Sequence, residues 1–476
     1  MNKKLIFYSF ILFFTVYAAV ATSTEKPNFI IILADDLGYG DLGYTGSTQI
    51  KTPNIDKLAA GGVVCSNGYV TSAVCSPSRA GLLTGRYNCE FGYYTNPDCP
   101  LDQQPQINRE YSGLPVDEIT LANRLADLGY VNGLIGKWHL GHLPQFHPLK
   151  RGFHEFWGFL NGGHDYFVTV PRSETKIKYR WPIECNYKKQ GSLTYLTDDI
   201  GNECVDFIRR HKDESFFLYA SFNAPHIPLE AIEADKELYS FVKDERRRTY
   251  CAMVHRLDVN VGKIIQELKK QKLYKNTVVV FLSDNGGYIN NNVSINTPFR
   301  GQKGTLFEGG IHVPFIISYP GKYKEGKVYE KPVISLDILP TFVELAGGKM
   351  NPGDSINGVD LTPFLNDTEK GMPHEYLFWN LAGFSAIRYR NMKMVNMPDK
   401  FPMLFDLSKD ISEQHDLAFK KKKTAEKMIE KLGMWNLSCP EPLFFQSNTQ
   451  KMNYRKLYDE AGPPQPKTIR SRNYVD

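Results

Sequence analysis

Residues Phe29 to Leu33 form an unbroken apolar run. A strand with one wet face alternates apolar and polar residues. An unbroken run signals a strand buried on both faces, which requires a parallel sheet covered by helices on each side. Thr277 to Leu282 repeats the pattern, and Val131 to Ile135 and Ser215 to Phe222 are weaker versions of it. Helical periodicity falls between these runs, over Ile119 to Leu128, Leu196 to Arg210, Arg248 to Lys270 and Ile334 to Leu345. The alternation predicts an α/β fold, with a large and mostly parallel sheet flanked by helices. One core rarely serves more than about 250–300 residues, so a chain of 476 residues is expected to hold a second unit. The character changes near residue 372. Ser385 to Val395 and Met403 to Leu407 alternate apolar and polar positions, which predicts a small antiparallel sheet, and Thr424 to Leu432 reads as a helix. The expected division is 1–21 as a signal peptide, 22–372 as the main unit, and 373–476 as a small α+β unit with a tail. The tail beyond Gly462 is expected to wrap the surface or fray.

The first 21 residues supply the leader. Lys3 and Lys4 precede an apolar stretch from Leu5 to about Tyr17, and Ala19-Val20-Ala21 supplies an A-x-A cleavage site. Export to the periplasm or the exterior is therefore expected, or to the lysosome or exterior in a eukaryote. No later segment has the length and apolarity of a span, so no stable membrane insertion is expected. A net charge of +5 gives no case for nucleic acid and does not oppose an anionic ligand. An oxidising compartment permits disulfides among the eight cysteines. Cys89 and Cys99, in one loop-like stretch, are the candidate pair.

Polar groups follow each candidate strand. Asp35 and Asp36 follow the first, Lys137 and His139 the second, His226 the third, and Asp284 and Asn285 the fourth. In open α/β sheets, ligands bind beyond the carboxyl ends of the strands. Four strands would thus deliver these groups to one sheet edge. Asp35, Asp36, Asp284 and Asn285 offer only oxygen, which suits Ca²⁺ or Mg²⁺ rather than zinc. Calcium is favoured, because four protein side chains exceed magnesium's usual share.

Cys75-Ser76-Pro77-Ser78-Arg79 continues through Ala80-Gly81-Leu82-Leu83-Thr84-Gly85. This stretch resembles the sulfatase signature C-x-P-S-R with its downstream L-T-G, which directs oxidation of the cysteine to formylglycine. Gly129-Tyr130 through Gly136-Lys137-Trp138-His139 resembles a second sulfatase motif, with Asn132 where Ser or Thr is usual. Ala224-Pro225-His226, Arg300-Gly301-Gln302-Lys303, Glu308-Gly309-Gly310 and Leu404-Phe405-Asp406-Leu407 extend the likeness over most of the chain. It is similar to the arylsulfatase and N-acetylgalactosamine-sulfatase branch. Arg151-Gly152-Phe153 and Gly162-Gly163-His164-Asp165-Tyr166 are typical of its polysaccharide-active members.

The resemblance implies an alkaline-phosphatase-like fold and a sulfuric ester hydrolase acting on a sulfated carbohydrate. It implies one Ca²⁺ on Asp35, Asp36, Asp284, Asn285 and the modified residue 75, and a formylglycine-generating or anaerobic maturation enzyme as partner. A hydrate of the residue-75 aldehyde would attack sulfur, and its second hydroxyl would drive collapse and release of sulfate. His139 is then the expected base and His226 the expected acid. Arg79, Lys137 and Lys303 would neutralise the ester's charge. His164, Asp165 and Tyr166 are expected sugar contacts. A phosphatase or phosphodiesterase of the same superfamily would use Ser or Thr as nucleophile, which Cys75 with Pro77 and Arg79 argues against. An inactive glycan-binding homologue would leave Cys75 unconverted.

Overall fold

The structure, a computed structural model, describes residues 26–97, 112–168, 182–351, 353–398, 400–443 and 448–461. The expected leader, Cys99 and the tail beyond Gly462 lie outside them. A ten-stranded sheet runs in the order Lys327–Tyr329, Val63–Cys65, Phe315–Ser318, Thr277–Ser283, Asn28–Ala34, Phe216–Ser221, Val131–Lys137, Glu155–Phe159, Glu184–Cys185, Lys188–Lys189. The four expected strands are its centre and all pair in parallel. Antiparallel neighbours appear toward the edges, including Phe315–Ser318 against Thr277–Ser283. Among the described residues, no helix is long and apolar enough to cross a membrane.

The central strand explains the apolar run. Phe29, Ile31 and Leu33 enter the core on one face of the sheet, and Ile30, Ile32 and Ala34 enter the core on the other. Each large apolar side chain so buried contributes roughly 1.5–3 kcal/mol. Register then sets the site. Ala34 lies opposite Ser283, Leu33 opposite Ser221, and Ser221 opposite Gly136. Four carboxyl ends therefore stop level. Gly136, at φ 111°, is required there, since a Cβ would lie 1.9 Å from the carbonyl oxygen of Ser221.

Four antiparallel strands, Tyr376–Leu381, Phe384–Tyr389, Met392–Asn396 and Met403–Asp406, form the smaller sheet. One face packs on the main unit through Trp379, Leu381 and Val395 against Tyr69, Val74 and Phe307. The Lys422–Ser438 helix covers the other, Met428 and Leu432 meeting Ile387, Met394 and Leu404. The helix expected over Ile334 to Leu345 is shorter, Ile338–Leu345. Its first residues instead form a two-residue strand, Val333–Ile334, and a turn in which Asp337 accepts from the Ile334 N–H. A further helix, Asn448–Glu460, was not expected from the sequence. Its apolar positions are widely spaced among Asn, Gln, Lys and Arg.

A buried ionic cluster joins the two sheets. The Lys393 Nζ reaches Glu308 at 2.8 Å and Glu413 at 2.9 Å, all three fully buried. Glu308 also accepts from Tyr69 at 2.6 Å and contacts His312 Nδ1 at 2.8 Å. Burial raises both carboxyls, but Lys393 and His312 hold Glu308 well below the carboxylate range. Burial pushes Glu413 up to about 7, Lys393 opposing and Glu308 adding.

Native Glu413 thus keeps a proton that an unfolded chain releases near 4.5. Its contribution to stability is complete below pH 4.5 and is lost as pH rises through about 7. The thermal midpoint of wild type, relative to Glu413→Gln, should fall across that window. A flat or rising difference would refute the assignment.

Candidate active site

Asp35 and Asp36 leave the central strand with backbone bonds that pin the turn. The Asp35 N–H donates to the Ala224 carbonyl at 3.1 Å, and Asp284 donates to Ala34 at 3.0 Å. Asp36 takes a left-handed φ of 62°, a conformation that aspartate tolerates better than most residues. Its N–H then donates to Asp284 Oδ1 at 3.2 Å. Asn285 donates through Nδ2 to Asp36 Oδ1 at 2.7 Å. All four side chains are buried.

Cys75 opens the Cys75–Thr84 helix, every residue of which is buried. Pro77 in the first turn lacks an N–H that would otherwise need a partner. The Ser76 N–H is met by Asn96 Oδ1 at 3.0 Å, a cap supplied from another segment. Gly81 is dictated by packing, because a Cβ would lie 2.4 Å from Thr71 Oγ1. The four-residue spacing puts Cys75 and Arg79 on one helix face. Cys75 Sγ stands 3.4 Å from Asp35 Oδ1, 3.7 Å from Asp36 Oδ1 and 3.1 Å from Lys303 Nζ.

Three cations enclose the carboxylates. Arg79 Nε and Nη2 reach Asp284 Oδ2 at 3.0 and 2.9 Å, while Nη1 donates to Ser221 Oγ at 2.6 Å. Lys137 Nζ lies 2.6 Å from Asp35 Oδ2, and Lys303 Nζ lies 2.7 Å from Asp36 Oδ1. Burial alone would weaken the charge on Lys303, yet Asp36 and Cys75 raise its pKa well above the lysine range. Burial acts to raise Asp36, but Lys303 and His226 hold it well below its usual range. Asp284 goes the other way, raised by burial and by Asp35 despite Arg79. Burial, with Asp284 adding, pushes the Cys75 thiol far up.

His226 Nε2 lies 3.7 Å from Asp36 Oδ2, and its Nδ1 is 2.7 Å from the Ile227 carbonyl. Burial lowers its pKa to about 3, Asp36 opposing. His139 is buried with φ 60°, and its carbonyl accepts from Ser76 Oγ. Tyr166 is not placed as a sugar contact. It is fully buried, with its hydroxyl 3.0 and 2.8 Å from the carbonyls of Asn223 and His226, so it supports the His226 turn. His164 and Asp165 are likewise buried, His164 Nδ1 lying 2.7 Å from the Asp165 carbonyl.

Sequence reading missed Asn96, which meets the Ser76 N–H at the helix start, Ser221, whose Oγ accepts from Arg79 and donates to the Lys137 carbonyl, and the Ser76 hydroxyl, which donates to the His139 carbonyl. It also missed the Asn448–Glu460 helix. That helix packs on the loop bearing Lys303, with Tyr454 and Leu457 beside Gly304 and Tyr458 OH accepting from the Leu306 N–H at 2.7 Å. Burial raises the pKa of the Tyr454 hydroxyl, with Thr95 and Lys303 opposing.

Asp35 and Asp36 belong to a cluster that could hold a metal ion. Ligand atoms of Asp35, Asp36, Cys75 and His226 lie within 4.8 Å of one another. The Asn285 side-chain oxygen is buried with no hydrogen-bond partner among the described residues. Asp284, whose carboxyl burial disfavours as an anion, borders the same pocket.

Fixed cations around buried Cys75 suit the handling of an anionic ester. The chain belongs to the sulfatase family, whose profile matches residues 27–348, and so is placed among the sulfuric ester hydrolases. An N-sulphoglucosamine sulphohydrolase C-terminal profile matches residues 301–436. Human N-acetylgalactosamine-6-sulfatase is 32% identical over 83% of this chain and 82% of its own. The dog enzyme is 35% identical over 72% of this chain and 66% of its own, so this chain spans just under two thirds of that relative. The crystal structure of Ps i-CgsB in complex with k-i-k-neocarrahexaose superposes with a TM-score of 0.83 at 36% identity, covering 91% of this chain and 98% of that one. The phosphonate monoester hydrolase SpPMH of Silicibacter pomeroyi, at 19% identity and a TM-score of 0.64, shares the fold alone.

Lys303→Ala should lower kcat for a chromogenic sulfate ester by roughly 10²–10³-fold, the usual cost of losing one preorganised charge-stabilising donor. The thermal midpoint should fall, because Asp36 loses its buried partner, while the chain stays folded at assay temperature. Loss of folded protein at assay temperature would make Lys303 a structural residue.

Proposed function

We propose that the protein hydrolyses sulfate esters of a sulfated polysaccharide or oligosaccharide, using Cys75 matured to formylglycine and one Ca²⁺. The observation that carries the reading is the position of Cys75 Sγ. It sits at a buried helix start, 3.1 Å from Lys303 Nζ and within 3.7 Å of two carboxylates. A thiol pushed so far up by burial would remain protonated and be a poor nucleophile. That favours conversion to the aldehyde, whose hydrate supplies an attacking hydroxyl and a second one for release.

Asp35, Asp36, Asp284 and Asn285 would hold the cation, which acidifies a bound hydroxyl and draws charge from the sulfate. Arg79 fixes Asp284, and Lys137 fixes Asp35. Lys303 faces both residue 75 and Asp36, so it meets the ester's charge where the bond to sulfur changes. His226 is held neutral by its surroundings, so it would gain its proton only as the sulfate's negative charge enters, and would then pass it to the leaving oxygen. His139, positioned by Ser76, would take the proton that triggers release. Residues 22–372 would form the catalytic unit and 373–476 the smaller one. Export and a formylglycine-forming maturation enzyme belong to the same reading.

Support for a carbohydrate comes from the relatives, one acting on an N-acetylgalactosamine 6-sulfate and one solved with a neocarrahexaose. A panel of sulfated glycosaminoglycan and carrageenan oligosaccharides, with a phosphate monoester as control, should show sulfate release alone. Faster hydrolysis of the phosphate ester would favour the phosphatase reading.

Chelation should abolish turnover and Ca²⁺ should restore it, whereas Asp284→Ala should stay inactive at any calcium concentration. Full activity of the stripped enzyme would overturn the metal assignment. Cys75→Ser should accept at most one sulfate per chain, seen as a sulfated residue-75 peptide without steady turnover. Sustained turnover would show that water attacks sulfur directly.

A further inference from the structure

We propose that Cys89 and Cys439 form a disulfide that ties the segment after the catalytic helix to the chain leading into the Asn448–Glu460 helix. Cys89 lies in a short 3₁₀ turn, Asn88–Phe91, that follows the Cys75–Thr84 helix. Cys439 caps the Lys422–Ser438 helix. The two thiols lie near enough for each to shift the other's pKa, although 350 positions separate them in sequence.

Bonds on both sides hold the sulfurs in place. Before Cys439, the Trp435 indole N–H donates to Glu90 Oε1 at 3.0 Å, and the Trp435 ring lies edge-on to Tyr87 at 5.4 Å. After it, Tyr94 OH donates to the Pro440 carbonyl at 2.9 Å, and the Leu443 N–H donates to the Gly92 carbonyl at 2.9 Å. The approach of the two chains therefore does not depend on the thiols. Cys65, Cys204 and Cys251 are buried in the core, and Cys185 lies on the far edge of the large sheet.

The two sulfurs are unequal. Cys89 is buried, and burial pushes its thiol far up, while the half-buried Cys439 is lowered by its neighbour Cys89. Cys439 is thus the sulfur that meets an oxidant first. Its thiolate attacks the S–S bond of a disulfide such as oxidised glutathione, forming a mixed disulfide and expelling one thiol. Cys89 then loses its proton and attacks the Cys439 sulfur, expelling the second thiol. Two S–H bonds are replaced by one S–S bond, and two electrons pass to the oxidant.

The full chain, reduced and then held with oxidised glutathione, is quenched with N-ethylmaleimide in denaturant and digested without reduction. The expected product is a Cys89 peptide joined to a Cys439 peptide, lighter than their sum by two hydrogens and absent from Cys439→Ser. The oxidised chain should melt several degrees above the same chain in dithiothreitol, because the cross-link closes a long loop in the unfolded state. Recovery of both cysteines as maleimide adducts overturns the proposal, as does Cys89 linked to Cys99 or Cys185.

Discussion

Three carboxylates and three cations share one water-poor pocket, and their mutual compensation underlies the rest of the site. An isolated buried charge costs several kcal/mol, so each of these groups needs another close by. Lys137 answers Asp35, Lys303 answers Asp36, and Arg79 answers Asp284. The pairing is strained by construction. Asp284 is pushed toward its neutral form while Asp36 is driven deeper into its charged form. This imbalance accords with the proposed binding of a divalent cation and an anionic group together, each offsetting what the other adds.

The scaffold makes that compensation possible through register. Asp35 and Asp36 follow Asn28–Ala34, Asp284 follows Thr277–Ser283 and Lys137 ends Val131–Lys137, and a slip by one residue would turn such a side chain to the other face. Parallel pairing along Ala34, Ser283, Ser221 and Gly136 stops the strands at one level. The Cys75–Thr84 helix then meets that edge end-on. The Ser76 N–H of its first turn is met by Asn96 rather than by a cap of its own.

Much of this was legible in the sequence. Buried parallel strands leave unbroken apolar runs, and the Leu196–Arg210 helix shows its full length as periodicity. The residues that carry charge could be read because each follows such a run or lies in a family motif. Other features leave no comparable trace. The two-residue strand Val333–Ile334 is too short for a period. Tyr166 sits in a motif rich in polar groups, yet its hydroxyl is spent on backbone carbonyls. Ser221 and Asn96 matter through one or two contacts made across the fold, which composition does not reveal.

The Asn448–Glu460 helix lies beyond residue 436, where the second family profile ends, and it rests on Gly304 beside Lys303. A polypeptide leaves the ribosome from its amino end. Cys75 therefore emerges before the Asn448–Glu460 helix, whose Tyr454 and Leu457 pack beside Gly304. Lys303, which reaches Cys75 Sγ from the neighbouring position of that loop, thus gains the helix as its support only after the cysteine has been made.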